Sequence, residues 1–330
     1  MIYNQTNHNL FHINTLIKSL HIGNINLAYH SSINEMSNDL KKTIHNVTPQ
    51  NILKQALLLK RYFDIIPIDE LFNLPKGKID GKVSLTFDDG YNNIFGGILN
   101  DLSKYSIPVT VFLIGNSFKN KPYWRDKIIF LLNNKKYLNE FIAFFNNENK
   151  IKLNNHNFFF KTKKNHINSK ILDETLDKFL TDNKLYENIN INLISNADTL
   201  IKNKFITYGN HTLNHYVMSS LKYEEQKSEI LENKNFLSSL NVNTTNIFAL
   251  PFGTYNDLNM DTIKILKDTN INKVLLCNNK INNKNDRFNY DSIKFLDRLA
   301  PSNNIFRLIL NIFKNTIYSS NTKSIKNHFK

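Results

Sequence analysis

A chain of 330 residues has room for one large α/β domain or two ordinary ones, and at 41% apolar and 12% aromatic it can bury a sizeable core. Nine Gly and seven Pro exclude collagen-like and Pro-rich architectures, and a single cysteine, Cys277, excludes a disulfide framework or a thiolate cluster, so any metal must be held by His and carboxylates. The formal charge of +14 raises nucleic acid or an anionic membrane as partners, but Lys is spread along the chain and about one residue in six is Asn. That joint excess reads as the stamp of an AT-rich coding sequence, and nucleic acid is not expected.

Residues 24–30 (NINLAYH) read as a short buried strand ending in His30. From Thr48 to Tyr62 apolar residues recur at helical spacing behind a Thr-Pro start, and IIPIDELF continues with a strand-like piece and a short helix. Residues 82–87 (KVSLTF) alternate as a strand and stop at Asp88-Asp89-Gly90; a helix is expected around Ile94–Tyr105, and VTVFLI after Pro108 is a β-branched run typical of a buried parallel strand. Strand, helix, strand at this spacing makes a βαβ unit and a parallel sheet with covering helices. Residues 124–201 turn Lys/Asn-rich with scattered aromatics, and an inserted helical subdomain is expected there. Alternation then resumes with KFITYGNH, a helix over Tyr223–Leu240, the strand-like NIFALPFG, a helix near 257–269 and the strand INKVLLC. Residues 303–318 form an apolar helix with Arg307 and Lys314 interspersed, which packs on the domain or, in the sharper reading, rests on an anionic membrane. No run of about 18 apolar residues exists and the N-terminus has no apolar leader segment, so a cytoplasmic location is expected.

Two adjacent carboxylates, Asp88 and Asp89, at the end of a buried strand are costly unless positive charge sits beside them, and Gly90 permits a turn that brings both to one pocket; alone, the motif is also an ordinary solvated Asp-Gly turn. His211 and His215, at i and i+4, would share a helical face and could meet one cation. His8 and His12 repeat that spacing in an unpromising segment, a warning that it arises by chance. Thr212 stands where a thermolysin-type HExxH motif has its glutamate, so a base must come from elsewhere, and the spare carboxylate at 88 or 89 could supply it. One Asp and two His leave coordination positions for water and substrate. Ala249-Leu250-Pro251-Phe252-Gly253 and Tyr29-His30 are ordinary taken singly.

In combination and in this order, TFDDG, GNHTLNH and LPFG resemble the polysaccharide deacetylase family, the NodB-homology domain of carbohydrate esterase family 4. Over about residues 25–118 and 200–300 the likeness is to the permuted branch that deacetylates poly-N-acetylglucosamine and its relatives in capsule clusters. The resemblance implies an α/β fold, an irregular (β/α) barrel of about seven parallel strands. Residues 24–302 would be the catalytic domain, with the insert at about 124–201, an extension over 1–23 and a basic amphipathic C-terminal segment over 303–330. It implies a metal triad of Asp89, His211 and His215, with Asp88 as general base and His30 as the acid that protonates the departing amine. The backbone N–H near Phe252, in the turn with Pro251 and Gly253, would help hold the oxyanion. The expected cofactor is a divalent ion, zinc first, with cobalt, nickel or iron as alternatives. The expected partner is an N-acetylated amino-sugar glycan or a nucleotide- or lipid-linked precursor.

Two departures stand out. Ala249 replaces the Arg that opens the R-x-P-aromatic motif of the standard branch, with Arg298 a conjectural substitute, and no C-terminal hydrophobic-His-Asp motif exists, so the acid role rests on His30. Competing readings are an N-deformylase or other amidase on an amino sugar, and a decayed carbohydrate-binding protein. An iron oxygenase ranks lower, because Asp88 would have no task there.

Overall fold

Unbroken β-branched and aromatic runs set the strands. In the computed structural model, which describes residues 23–318 apart from 37–39, 41–42, 76–77 and 283–287, β1 (Ile25–Tyr29), β3 (Lys82–Phe87), β4 (Val109–Leu113), β5 (Ile206–Asn210), β6 (Thr244–Ala249), β7 (Lys273–Leu275) and β9 (Ile293–Leu296) run parallel in that order. A two-residue β2 (Asp64–Ile65) pairs with β3, and β8 (Phe288–Tyr290) lies antiparallel on β9. β1 and β4 are buried throughout, as expected of parallel strands covered on both faces. The sheet also meets itself. Past β9 the chain runs beside β1, where the Ala28 N–H donates to the Leu299 carbonyl (2.9 Å) and the Leu299 N–H to that of Asn26 (2.8 Å). The result is the expected irregular parallel barrel.

Helices cover this wall. α1 (Pro49–Tyr62) turns Ile52, Ala56 and Leu59 inward; its Thr48 does not cap through its side chain, and the Thr48 N–H instead donates to Asn303 Oδ1 at 2.9 Å. α2 (Ile68–Asn73) follows β2. The helix expected over Ile94–Tyr105 is two, α3 (Asn92–Phe95) and α4 (Ile98–Lys104), broken where Gly96-Gly97 removes helix propensity. Between β4 and β5 lie α5 (Trp124–Asn133), α6 (Lys135–Glu148), α7 (Phe158–Lys161) and α8 (Ser169–Asp182). Asn168 Oδ1 caps α8 by accepting from the Lys170 and Ile171 N–H groups. Phe141, Phe158 and Phe179 pack edge-to-face, and these helices share one apolar cluster with Tyr216, Leu250 and Phe295 of the barrel. Buried Lys127 ties α5 to α8 through Asp173 (2.7 Å) and Asp177.

α9 (Tyr223–Ser239) and α10 (Met260–Asp268) complete the alternation. The β8–β9 hairpin is absent from the sequence reading. Its two-residue turn, Asp291-Ser292, has both residues in the left-handed region (φ 50° and 70°), without the Asn-Gly or Asp-Gly pair that signals such turns. α11 (Ile305–Tyr318) packs Leu308 and Ile312 into the core, as the packing reading expects, and leaves Phe306 and Leu310 each 55% exposed. No helix among the described residues is long and apolar enough to cross a membrane. The extension over residues 1–22, with His8 and His12, and the tail after 318 lie outside the described residues.

Candidate metal centre and active site

Seven residues of interest sit just past the C-terminal ends of parallel strands, where open sheets and barrels place their sites. His30 follows β1, Asp88 and Asp89 follow β3, His211 follows β5, Phe252 follows β6, Cys277 follows β7 and Arg298 follows β9. All seven line one cleft, together with His215, His45, Tyr91, Tyr123, Arg125 and Lys163.

The two aspartates reach the cleft by a backbone device. The Asp88 N–H still pairs with the Tyr29 carbonyl (2.9 Å), but Asp89 takes φ 68° and Gly90 φ 82°, so the chain reverses and both carboxylates stay on one side. The positive φ favours glycine at 90, and a Cβ there would also meet Leu113 Cδ2 at 2.7 Å, so that side chain would have to shift.

The two histidines meet as expected but not on a helix. Residues 211–215 form an irregular loop with Thr212 (φ 65°) and His215 (φ 61°) left-handed, because polar groups of α9 bind its backbone in place of helical hydrogen bonds. Glu229 accepts from the Asn214 N–H (2.7 Å) and side-chain amide (2.6 Å), and its carbonyl accepts from the Leu213 N–H (3.0 Å). Asn210 Oδ1 accepts from the Thr212 N–H and from Asn233 Nδ2, both at 2.9 Å. From α5, Trp124 Nε1 donates to the His215 carbonyl (3.1 Å).

The triad closes around a single point. His211 and His215 each place Nε2 3.3 Å from Asp89 Oδ1, and their ligand atoms all lie within 4.8 Å of one another. His211 Nδ1 faces the Ala249 carbonyl at 2.7 Å; that oxygen only accepts, so Nδ1 carries the proton and Nε2 is left as a lone-pair donor. Asp89 Oδ1 is buried and, among the described residues, has no hydrogen-bond partner. One carboxylate oxygen and two imidazoles converging on a partnerless buried anion fit a divalent cation such as zinc. Burial alone would raise Asp89, but His215 and His211 outweigh it and hold the carboxyl well below its usual range. Burial pushes His215 down to about 3, which keeps it neutral as a ligand must be, whereas the Asp88 and Asp89 charges outweigh burial at His211 and raise it.

Asp88 is held separately. Arg298, fully buried, donates Nη1 to Asp88 Oδ1 and Nη2 to Oδ2, both at 2.7 Å, while its Nε donates to the Leu276 carbonyl and Nη1 also to Thr86 Oγ1, both at 3.1 Å. Burial would raise the Asp88 carboxyl; the guanidinium, with His211 and His30, reverses that and lowers it. Arg298 thus grips the neighbour of the triad rather than facing substrate. Phe252 lines the cleft in the left-handed region (φ 61°), its ring 4.9 Å from that of His215. Pro251 and Gly253 shape the turn, and a Cβ on Gly253 would lie 2.7 Å from the Cys277 backbone nitrogen. Burial raises the Cys277 thiol to about 11, so it remains protonated and is no nucleophile at neutral pH.

His30 has a partner that the sequence reading missed. His45 Nε2 faces the Pro301 carbonyl at 2.8 Å and its Nδ1 faces His30 Nδ1 at 3.2 Å. Because the carbonyl only accepts, His45 donates from Nε2 and offers a lone pair at Nδ1; burial, then His30, holds it down to about 4, in the neutral form this requires. His30 therefore donates from Nδ1, which leaves its Nε2 free of that bond. A histidine in a loop fifteen positions on carries no motif signal.

A family model described as polysaccharide deacetylase matches residues 76–274, a span that holds both aspartates, both triad histidines and the Phe252 turn but neither His30 nor Arg298. No curated protein matches the chain. Among solved structures it is similar to the Streptococcus pyogenes deacetylase PplD in complex with acetate (17% identity, TM-score 0.53), covering 89% of this chain and 98% of that one. It is also similar to a de-N-acetylase from Aggregatibacter actinomycetemcomitans (14% identity, TM-score 0.52), covering 88% and 99%. At these identities the likenesses concern the fold.

Proposed function

The chain belongs to the polysaccharide deacetylase family, hydrolases of carbon–nitrogen bonds, and from that premise we propose that it removes the N-acetyl group of an amino sugar in a glycan or glycan precursor. One observation carries this reading: a partnerless buried Asp89 oxygen 3.3 Å from two imidazole nitrogens, beside an Asp88 clamped by a buried guanidinium. An ordinary Asp-Gly turn would solvate both carboxylates, and an oxygenase would have no use for Asp88.

A divalent cation held by Asp89, His211 and His215, zinc first among candidates, supplies Lewis-acid polarisation of the acetamide carbonyl and lowers the pKa of a bound water. Asp88 accepts the proton of the attacking water, its orientation fixed by Arg298. The Phe252 backbone N–H stabilises the carbonyl oxygen as it gains charge. His30, anchored through Nδ1 on His45, gives a proton from Nε2 to the departing amine.

The test is acetate release from N-acetylated amino-sugar oligomers, read beside metal content. Asp89→Ala, His211→Ala and His215→Ala are expected to lose both metal and activity, while Asp88→Asn keeps the metal and loses roughly 10²–10⁴-fold in rate. Formate released in place of acetate would move the reading to a deformylase. Full metal content in His215→Ala would overturn the triad.

A further inference from the structure

The wall of the cleft contributed by the 124–201 segment carries two cations that the mechanism does not use. Arg125, in the first turn of α5, is 6% exposed; its guanidinium carbon lies 4.8 Å from the Trp124 ring centroid and 5.1 Å from that of Phe159. Lys163, past α7, is half-buried and places Nζ 4.0 Å from the same Phe159 ring. Both line the cleft that holds the triad. Arg125 Nη1 donates to Thr162 Oγ1 at 3.0 Å, yet among the described residues no carboxylate comes within ion-pair distance of either cation. The same segment does supply acids where it neutralises a buried cation, as Lys127 with Asp173 and Asp177 shows.

Desolvating two neighbouring like charges is costly unless something negative joins them. The Phe159 ring, which both cations approach, offsets part of that cost. The cost registers on both groups. Burial, then Arg125, holds Lys163 down to about 8 against the pull of Asp89, and burial holds Arg125 down to about 10 against Tyr123, Tyr91 and the same aspartate, which lies beyond ion-pair distance of both. A guanidinium fork beside a point-charge ammonium, with the Tyr123 hydroxyl on the same wall, is a donor set matched to a phosphate or carboxylate.

We propose that Arg125 and Lys163 form an anion subsite, so that the sugar deacetylated here carries a phosphate or carboxylate on its own ring or on the adjoining unit. Neutral N-acetylglucosamine polymer is then a poor substrate, and the 124–201 segment is a specificity wall. The sugar's identity rests on the deacetylase reading; the charge preference does not need turnover to be seen.

The test is calorimetric binding to metal-loaded protein carrying Asp88→Asn, which stops turnover. The probes are N-acetylglucosamine 1-phosphate, an N-acetylglucosamine–glucuronate disaccharide and neutral di-N-acetylchitobiose. At least one charged probe is expected to bind about tenfold or more tighter than the neutral one, and which one does identifies the source of the anion. Adding Lys163→Met, at a half-buried position, should erase that preference while metal content and melting temperature stay unchanged. Equal binding of the three, binding of none, or a preference that survives Lys163→Met overturns the subsite; survival would mean the anion sits on the metal. Failure of the deacetylase reading shows differently, as no acetate released from any of them by the protein with Asp88 intact.

Discussion

Arg298 clamps Asp88, which Ala249, with only a methyl group, cannot do. The guanidinium reaches Asp88 from the end of the last strand with two parallel hydrogen bonds of 2.7 Å, and a lysine would offer a single point charge in their place. Arg298→Lys is expected to lower kcat/KM at least tenfold with the fold intact. Arg298→Met releases the downward pull on the Asp88 carboxyl. Since the base must be ionised, the acidic limb of the pH profile then moves to higher pH, and a limb that stays put would remove Asp88 as the titrating base. His45 is tested by chemistry that bypasses it. His45→Ala should slow acetamide hydrolysis but leave aryl acetate hydrolysis nearly unchanged, because a phenolate departs without a proton; equal losses on both would make His45 a packing residue. His45 was not legible as a partner in the sequence, and Arg298 only as a conjectural substitute for the Arg missing at Ala249. Motifs report short spacings, and these pairs are made across the barrel or through a loop.

The 211–215 loop depends on the helix behind it. Glu229 of α9 touches no proposed ligand, yet it binds the backbone that gives His215 its left-handed turn. Glu229→Ala should cost about 1–3 kcal/mol and reduce metal retention, checked by denaturation and metal analysis, with Glu229→Gln restoring part of both. Burial raises the Glu229 carboxyl to about 7 from an ordinary 4.5. Its stabilisation is therefore complete below about 4.5 and declines as pH rises towards 7, a slope that Glu229→Gln should flatten in melting curves of metal-free protein. Elements were read well where periodicity is strong, as in β3, β4, α1 and α9. What failed were the places where single residues adopt positive φ: the His pair set on a helix face and the Asp291-Ser292 hairpin overlooked, since Asp, Thr, His and Ser there carry no glycine-like signature. The Asp-Asp-Gly turn was legible because a glycine marked it.

Barrel and candidate metal centre are built as one unit, since the proposed ligands hang from β3 and the loop after β5, and β4 joins those strands. Metal bound to the folded form alone stabilises by mass action, about 2.7 kcal/mol at a hundredfold excess over Kd. A chelator should therefore lower the melting temperature of the unmutated protein and leave that of His215→Ala unmoved. The parallel architecture itself was legible from βα alternation; its closure came only through the family resemblance, because Leu27 and Leu299 are an unremarkable pair of leucines until the strands have been placed. That closure has a consequence for synthesis. On a ribosome the proposed triad waits for α9, which holds the 211–215 loop, and for the Ala249 carbonyl behind His211, while Asp88 has no guanidinium, and β1 no closing neighbour, until Arg298 and Leu299 follow. The proposed ion-holding groups are thus supported before the proposed base, which is clamped only when the end of the last strand has been made.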